Sequence, residues 1–401
     1  MKHSSIAAFI LVLVCAFLPS CEKDDTDFSA YDFSKYTLRS QQGDDDDIVT
    51  LPDTIFLALV WNGTQVTVTG DAGDSVSFAA KGGDLIVTST TQRYLELTVS
   101  GTCDDGSLLV YSDRPWGLIM NSLTLTNEDG PAINNQCGRA LYVTVVEGTE
   151  NSLADGYEYA DAPTNAQGMA IDQKGTLFSE GQMYFRGTGM LNVDGNYKNA
   201  IASDDYIIIE GQGPTMNVIS NGTNGIKIND GMTILGGVLD IFVVSDGGRG
   251  IKNDARMTIS GGETTITTTG DCSIEILDGI ADTTSCAGIK CDSLFTMTAG
   301  TLTITSTGDG GKGINCSQNV EFSGGTLCVR TMGDNEVAKP KGVKSDTGII
   351  VSGGTFDVKV SKSWACDNGS DSDYIGGMLT IIGEPNIIEF EKKWVSLSYD
   401  L

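Results

Sequence analysis

A three-residue word recurs along this chain, and its spacing constrains the fold more than any other feature. It reads small residue, aliphatic residue and, in most copies, lysine: Ala200-Ile201-Ala202, Gly225-Ile226-Lys227, Gly250-Ile251-Lys252, Gly288-Ile289-Lys290, Gly313-Ile314-Asn315 and Gly342-Val343-Lys344. Successive copies lie 25, 25, 38, 25 and 29 residues apart. A second small residue follows 11 positions after each word begins, at Gly211, Gly236, Gly261, Ala299, Gly324 and Gly353, and Ala365 with Gly376 continues the series. A repeat of this length implies units that stack on one another, because none can bury an apolar face alone.

Around the second small residue the apolar positions alternate, which is the period of a strand. Ahead of it come Ile207 and Ile209, Met232 and Ile234, Met257 and Ile259, Phe295 and Met297, Val320 and Phe322, Ile349 and Val351. Behind it come Leu239 and Ile241, Leu302 and Ile304, Leu327 and Val329, Phe356 and Val358, Leu379 and Ile381. Each repeat thus predicts three short strands joined by turns at Gly or Asp-Gly. Stacking equivalent strands about 4.8 Å apart buries a continuous ladder. The predicted fold is all-β: a right-handed parallel β-helix with three-strand coils of about 25 residues, its hand following from the chirality of parallel crossovers. A β-propeller would need blades of roughly 40 residues, which the step is too short to supply. The 50 glycines and 8 prolines among 401 residues suit many tight turns between strands.

Two earlier segments look like degenerate words, Gly130-Pro131-Ala132-Ile133-Asn134 and Gly168-Met169-Ala170-Ile171-Asp172. Residues 55–128 alternate well but lose the register. The domain reading is therefore N-terminal coils and a cap over 55–140, then the regular β-helix over 141–401. Two copies are expanded. The 38-residue step holds 13 extra residues between Cys272 and Cys286, and the 29-residue step adds a loop near 335–340. Loops inserted on a rigid solenoid are where binding features gather.

The first 21 residues read as an export address. Lys2 is followed by an apolar run over 6–17 and by Leu18-Pro19-Ser20-Cys21, which resembles a bacterial lipobox, so Cys21 is expected to become a lipidated N-terminus. Glu22-Lys23-Asp24-Asp25 resembles the surface-export signal of Bacteroidetes lipoproteins, and residues 22–54 form an acidic tether. These features predict an outer-membrane protein, lipid-anchored and exposed at the cell surface, that touches the membrane through its anchor alone. The formal charge of −28 argues against nucleic acid as a partner, since phosphate binding needs a basic face. The single histidine is His3, in the leader. Its removal leaves no imidazole for Ser-His-Asp or Cys-His catalysis or for zinc.

Three stretches in order carry a family resemblance: 146–156 (VEGTENSLADG), 191–197 (LNVDGNY), and Gly-Ile-Lys followed by Ser-Gly-Gly-Thr and a hydrophobe, as at 323–327 and 352–356. Together they resemble the carbohydrate-binding β-helix domain first described from a cellulolytic Clostridium, over roughly residues 140–385. The resemblance implies a pectate-lyase-like β-helix that binds plant-type polysaccharide, with calcium held by acidic turn residues and no established catalysis. Ala200-Ile201-Ala202 departs from the family's Gly-Ile-Lys, as does the chain before residue 140.

Four constellations bear on a site. Lys227, Lys252, Lys290 and Lys344 share one phase, two residues ahead of Asn229, Asp254, Asp292 and Asp346. They form either a charged stripe for a linear glycan or a self-compensating ladder worth about 0–1 kcal/mol per pair. Asp194, Asp204, Asp205, Asp230 and Asp254, with Asp246 and Asp309 at the third corner, could gather oxygens for calcium, or could serve Asp-Gly turns. Tyr157, Tyr159, Tyr197, Trp364 and Tyr374 lie beside turns, where they could stack on sugars or pack loops. Cys291 and Cys316 share a phase as buried thiols, while a disulfide between Cys272 and Cys286 would pin the long insertion, whose Glu275, Asp278 and Asp282 are candidates for a loop-borne site. The function expected is non-catalytic binding of a plant-type or host polysaccharide, with calcium as the cofactor in view. The alternatives are a structural or adhesive surface protein without a glycan ligand and a calcium-dependent polysaccharide lyase.

Overall fold

The computed structural model describes residues 54–277, 279–284, 286–334, 336–367, 379–382, 386–389 and 397–400. Cys21 and the tether up to residue 53 lie outside them, as does Tyr374. The described residues belong to the compact unit Gly43–Leu401. Their regular structure is strand apart from one short 3₁₀ turn at Gly73–Ser75, and among them no helix is long and apolar enough to cross a membrane.

The repeat word is the first strand of each coil. Asn199–Ser203, Asn224–Ile228, Arg249–Asn253, Ala287–Cys291, Lys312–Cys316, Lys341–Ser345 and Trp364–Asp367 pair in parallel, with the central aliphatics in register. Ile201, Ile226, Ile251, Ile289, Ile314 and Val343 all point inward and are buried. The ladder continues upstream through Gly175–Ser179, Ile133–Asn135, Leu108–Ser112 and Asp84–Ser89, giving about 11 turns in all. Second and third strands form two further parallel ladders. They merge where Met257–Thr268 and Phe295–Ser306 run unbroken round a corner through a register shift at Ile259 and Ser260. The architecture is the parallel β-helix that the period predicts, right-handed by the crossover rule.

The glycine that opens the word is demanded by space. A Cβ at Gly225, Gly250, Gly288, Gly313 or Gly342 would run into the inward branch of Ile241, Ile266, Ile304, Val329 or Val358 on the third strand of the same coil. The second small residue sits in the turn between second and third strands. There the next residue, Gly237, Gly262, Gly300, Gly325 or Gly354, holds φ between +72° and +83°, which side chains resist.

The N-terminal end is capped by two antiparallel hairpins, Thr54–Gly63 with Val66–Thr69 and Val76–Lys81 with Asp84–Ser89. The segment at Gly168 is not a coil word. It belongs to a loop running from 156 to 174, and the true first strand is Gly175–Ser179 with buried Leu177 inward. Gly168 instead closes a small turn in which the Asn165 side chain accepts the N–H groups of Gln167 and Met169, each at 3.0 Å. Met169 is 59 % exposed, and Ile171, though buried, is not part of the main core cluster inside the stack. The 13-residue expansion forms an antiparallel hairpin, Ser273–Leu277 with Ile280–Thr284.

Candidate functional site

Parallel register puts Lys227, Lys252 and Lys290 side by side, with Asn315 and then Lys344 beyond. Each lysine is tied to a carboxylate. Lys227 bonds Asp254 of the next coil and the Asn229 side chain (2.7 Å); Lys252 lies 3.4 Å from Asp254; Lys290 bonds Asp292; Lys344 bonds Asp346 at 2.6 Å. The line therefore alternates in charge and offers an anionic glycan little net pull.

The five aspartates expected around calcium do not converge. Asp194 lies on the third-strand ladder, opposite Ile219. Asp204, Asp205, Asp230 and Asp254 occupy the corner after the first strand. There Asp205 accepts the N–H of Tyr206 (2.9 Å), and Asp254 serves the lysine ladder. At the third corner, Asp246, Asp271 and Asp309 each accept the backbone N–H of the aspartate one coil on, at 3.0, 2.8 and 2.6 Å. Acid at that corner is turn chemistry repeated up the stack.

Among the described residues one carboxylate cluster does form, from Asp172, Glu180 and Asp204, whose oxygens lie within 4.8 Å of one another. Asp172 and Lys174 arrive on the 156–174 loop, which crosses the coil face over buried Phe178 and is held there by the side chains of Asn134 and Gln136 donating to the Asp172 carbonyl (3.0 and 3.2 Å). Lys174 bonds Asp204 and, at 2.6 Å, Asp172. It does for this coil what the ladder lysine does elsewhere, which accounts for Ala202 in the word. The chain thus supplies its own cation among these carboxylates, so calcium would have to displace an ammonium group. Burial works to lower the Lys174 pKa, but its bonds to Asp172 and Asp204 outweigh that and hold it above the ordinary value.

Burial first, then the charges of Asp204 and Asp172, push the Glu180 carboxyl up to about 7. The sign follows. The folded chain binds a proton that the unfolded chain has released, so stability falls as pH rises from about 4.5 to about 7. The half-exposed position reduces the effect to roughly 1 kcal/mol. Glu180→Gln is expected to raise the melting temperature relative to the parent at pH 8 and to change little at pH 4. Equal shifts at both pH values would contradict it.

The aromatic corner lies where the third strand turns into the first. The turn after Met190–Gly195 carries Tyr197, and the loop after Glu150–Asp155 carries Tyr157 and Tyr159. Tyr159 and Tyr197 meet with ring centroids 4.8 Å apart. The Lys198 ammonium lies 5.2 and 5.7 Å from these two rings and donates to the Gln173 carbonyl (2.7 Å). Asp155 ties the two segments together. Its carboxylate accepts the Tyr159 hydroxyl and the N–H of Asn196 (2.5 Å), while the Asn196 side chain donates to its carbonyl (2.7 Å). Burial raises the Asp155 pKa. Tyr157 is 77 % exposed and Tyr197 39 %. Beside this corner, the outward column Asp194, Ile219, Phe242 and the amide pair Asn192 and Asn217 (2.8 Å) extend a flat face along three coils.

Tyr157, Tyr159, Tyr197 and Asp204 are the expected site residues that fall into these two assemblies. Asp155, Asp172, Lys174, Glu180 and Lys198 were not legible as site residues, because each depends on how an aperiodic loop lies across the coils. Trp364 occupies the first residue of Trp364–Asp367, opposite Lys341, but its side chain lies outside the described residues, as do those of Glu275, Asp278 and Asp282. Cys291 and Cys316 are register partners and buried, as their phase predicts. Cys272 and Cys286 flank the hairpin as free thiols, Cys272 half-buried and Cys286 buried.

A family model described as carbohydrate-binding domain-containing protein matches residues 81–251 and 241–336. A curated carbohydrate-binding domain-containing protein of Acetivibrio thermocellus is 27% identical over 123 residues, covering 30% of this chain and 41% of its own length. The chain thus spans under half of that relative. Among solved structures, a gadolinium derivative of the polysaccharide lyase-like protein from C. thermocellum is similar at a TM-score of 0.48 and 20% identity, over 71% of this chain and 98% of that one.

Proposed function

The chain belongs to the carbohydrate-binding domain family, and on that premise we propose that it holds polysaccharide without cleaving it, displayed at the cell surface from a lipid on Cys21. The observation that carries the choice of site is the tyrosine corner. Tyr157 and Tyr197 offer exposed rings, the flat apolar surface on which sugar faces stack. Asn192, Asn217 and Asp240, in register on the adjoining face, offer groups for hydroxyls of a chain lying across the coils. A plant-type or host glycan is the ligand class. Calcium, if it takes part, would act at the cluster of Asp172, Glu180 and Asp204, and no step depends on it.

A lyase reading has one specific observation behind it, since Lys174 is a basic residue set among carboxylates. Its bonds to Asp172 and Asp204 hold it protonated, which removes it as a base. Holding therefore fits this cluster better than cutting.

The test is a binding series on insoluble cellulose, pectate and host-type glycans, with calcium and with EDTA, recording bound protein and ultraviolet absorbance. Retention on at least one glycan without rising absorbance is expected. Rising absorbance with pectate would mean a lyase, and no retention anywhere would leave the structural or adhesive reading. Tyr157→Ala with Tyr197→Ala is expected to weaken retention about tenfold, from roughly 0.5–1.5 kcal/mol per ring. Undiminished binding by the double variant would move the site elsewhere on the stack.

A further inference from the structure

We propose that Cys272 and Cys286 are a thiol pair that an external disulfide converts into a bond, tethering the base of the hairpin they bracket. Both lie against one turn of the next coil. A Cβ on Gly310 would fall 2.8 Å from the Cys272 sulfur, and one on the adjacent Gly311 would fall 3.2 Å from the Cys286 sulfur. Backbone bonds fix both chains there: the Cys272 N–H donates to the Asp309 carbonyl (2.8 Å), and the Lys312 N–H donates to the Cys286 carbonyl (2.9 Å). The hairpin between them closes in register from Ser273 opposite Thr284.

The surroundings favour the oxidised form. Burial raises the Cys272 thiol and pushes Cys286 up to about 11, with Lys312 opposing both. A site that does not stabilise its thiolates gains by becoming an uncharged disulfide. Access differs between the two. Cys272 is half-buried and is the entry point, whereas Cys286 is buried and resolves the intermediate. The Cys272 thiolate attacks a sulfur of oxidised glutathione, and one glutathione leaves as a thiolate that takes up a proton. The Cys286 thiolate then attacks the Cys272 sulfur and expels the second glutathione. Two cysteine thiols are oxidised and one small disulfide is reduced to two thiols.

A second pair provides the contrast. Cys291 and Cys316 are register partners one coil apart, but both are buried inside the stack, out of reach of an oxidant. The tether also has something to restrain. Two-stranded hairpins are marginal by themselves, and this one exposes Ile274, Ile276 and Ile280 at 63, 74 and 71 %.

The experiment uses the full chain, reduced, freed of reductant and incubated with oxidised glutathione. Free thiols are counted and peptides mapped without reduction. The expected result is the loss of two thiols, with one peptide joining Cys272 to Cys286. Cys286→Ser should stop at a stable glutathione adduct on Cys272, and Cys291→Ser should oxidise like the parent. A map joining Cys291 to Cys316, a parent chain that retains glutathione on Cys272, or no thiol loss would each overturn the proposal.

Discussion

Gly250→Val is expected to stop its coil from closing, with a loss above about 3 kcal/mol or no soluble folded protein. The cause is space rather than backbone geometry, since Gly250 is not among the glycines at positive φ. A Cβ there would collide with Ile266 across the coil and lie 2.6 Å from the Gly288 carbonyl oxygen of the next first strand. One neighbour is a stiff β-branched side chain and the other is backbone, so neither yields cheaply. Urea unfolding followed by circular dichroism reads the loss. Gly250→Ala combined with Ile266→Ala should recover part of what Gly250→Ala loses alone. Gly138→Ala, with nothing within 4 Å of the new atom, should be near neutral. A Gly250→Val protein that melts with the parent would show that the word's glycine serves something other than close approach.

Trp116→Ala is expected to cost about 3–5 kcal/mol, the range for emptying a large buried aromatic site. Trp116 is fully buried, in register with Leu95 on one side and Leu141 on the other. Its indole N–H donates to the Asn135 side-chain oxygen (3.0 Å), and the Asn135 amide donates to the Ser179 hydroxyl (2.8 Å) on the next coil. Alanine removes the packing and a partner of a buried amide together. Trp116→Phe keeps most of the packing and should lose only about 1 kcal/mol more than its volume change predicts. Stability in a solenoid is close to a sum over neighbouring coils, so the damage should concentrate at the N-terminal end. Hydrogen exchange should therefore show faster opening around residues 95–145 and little change beyond residue 250. A uniform loss along the stack would contradict that picture.

The two variants also mark where the sequence is easy and hard to interpret. Around Gly250 the coil is written in plain form, because a strand's neighbours are the same positions one period later. The phase of Ile226, Ile251 and Ile289 is at once a sequence pattern and a register. Around Trp116 the same ladder exists, through Leu85, Leu108, Ile133 and Leu177, but the glycine and lysine of the word are missing. Asn134 and Phe178 stand in the lysine column, since the 156–174 loop covers that face and a solvated cation is not needed there. The false word at Gly168 shows the converse: five residues can spell the motif where a local turn, rather than the stack, satisfies them.

The sequence by itself determined the parallel β-helix, the coil boundaries from Ala200 to Gly353, the inward aliphatics, the stacked thiols Cys291 and Cys316, and the place of the hairpin. All of these follow from period, and period fixes contacts between adjacent coils. Only the tertiary structure decided which polar and aromatic groups meet. Tyr159 reaches Tyr197 through Asp155, and Lys174 settles between Asp172 and Asp204 beside Glu180, because a loop without period lies across several coils. Its path is set by what it covers and by which buried groups it must satisfy, and neither is written in the spacing of its residues.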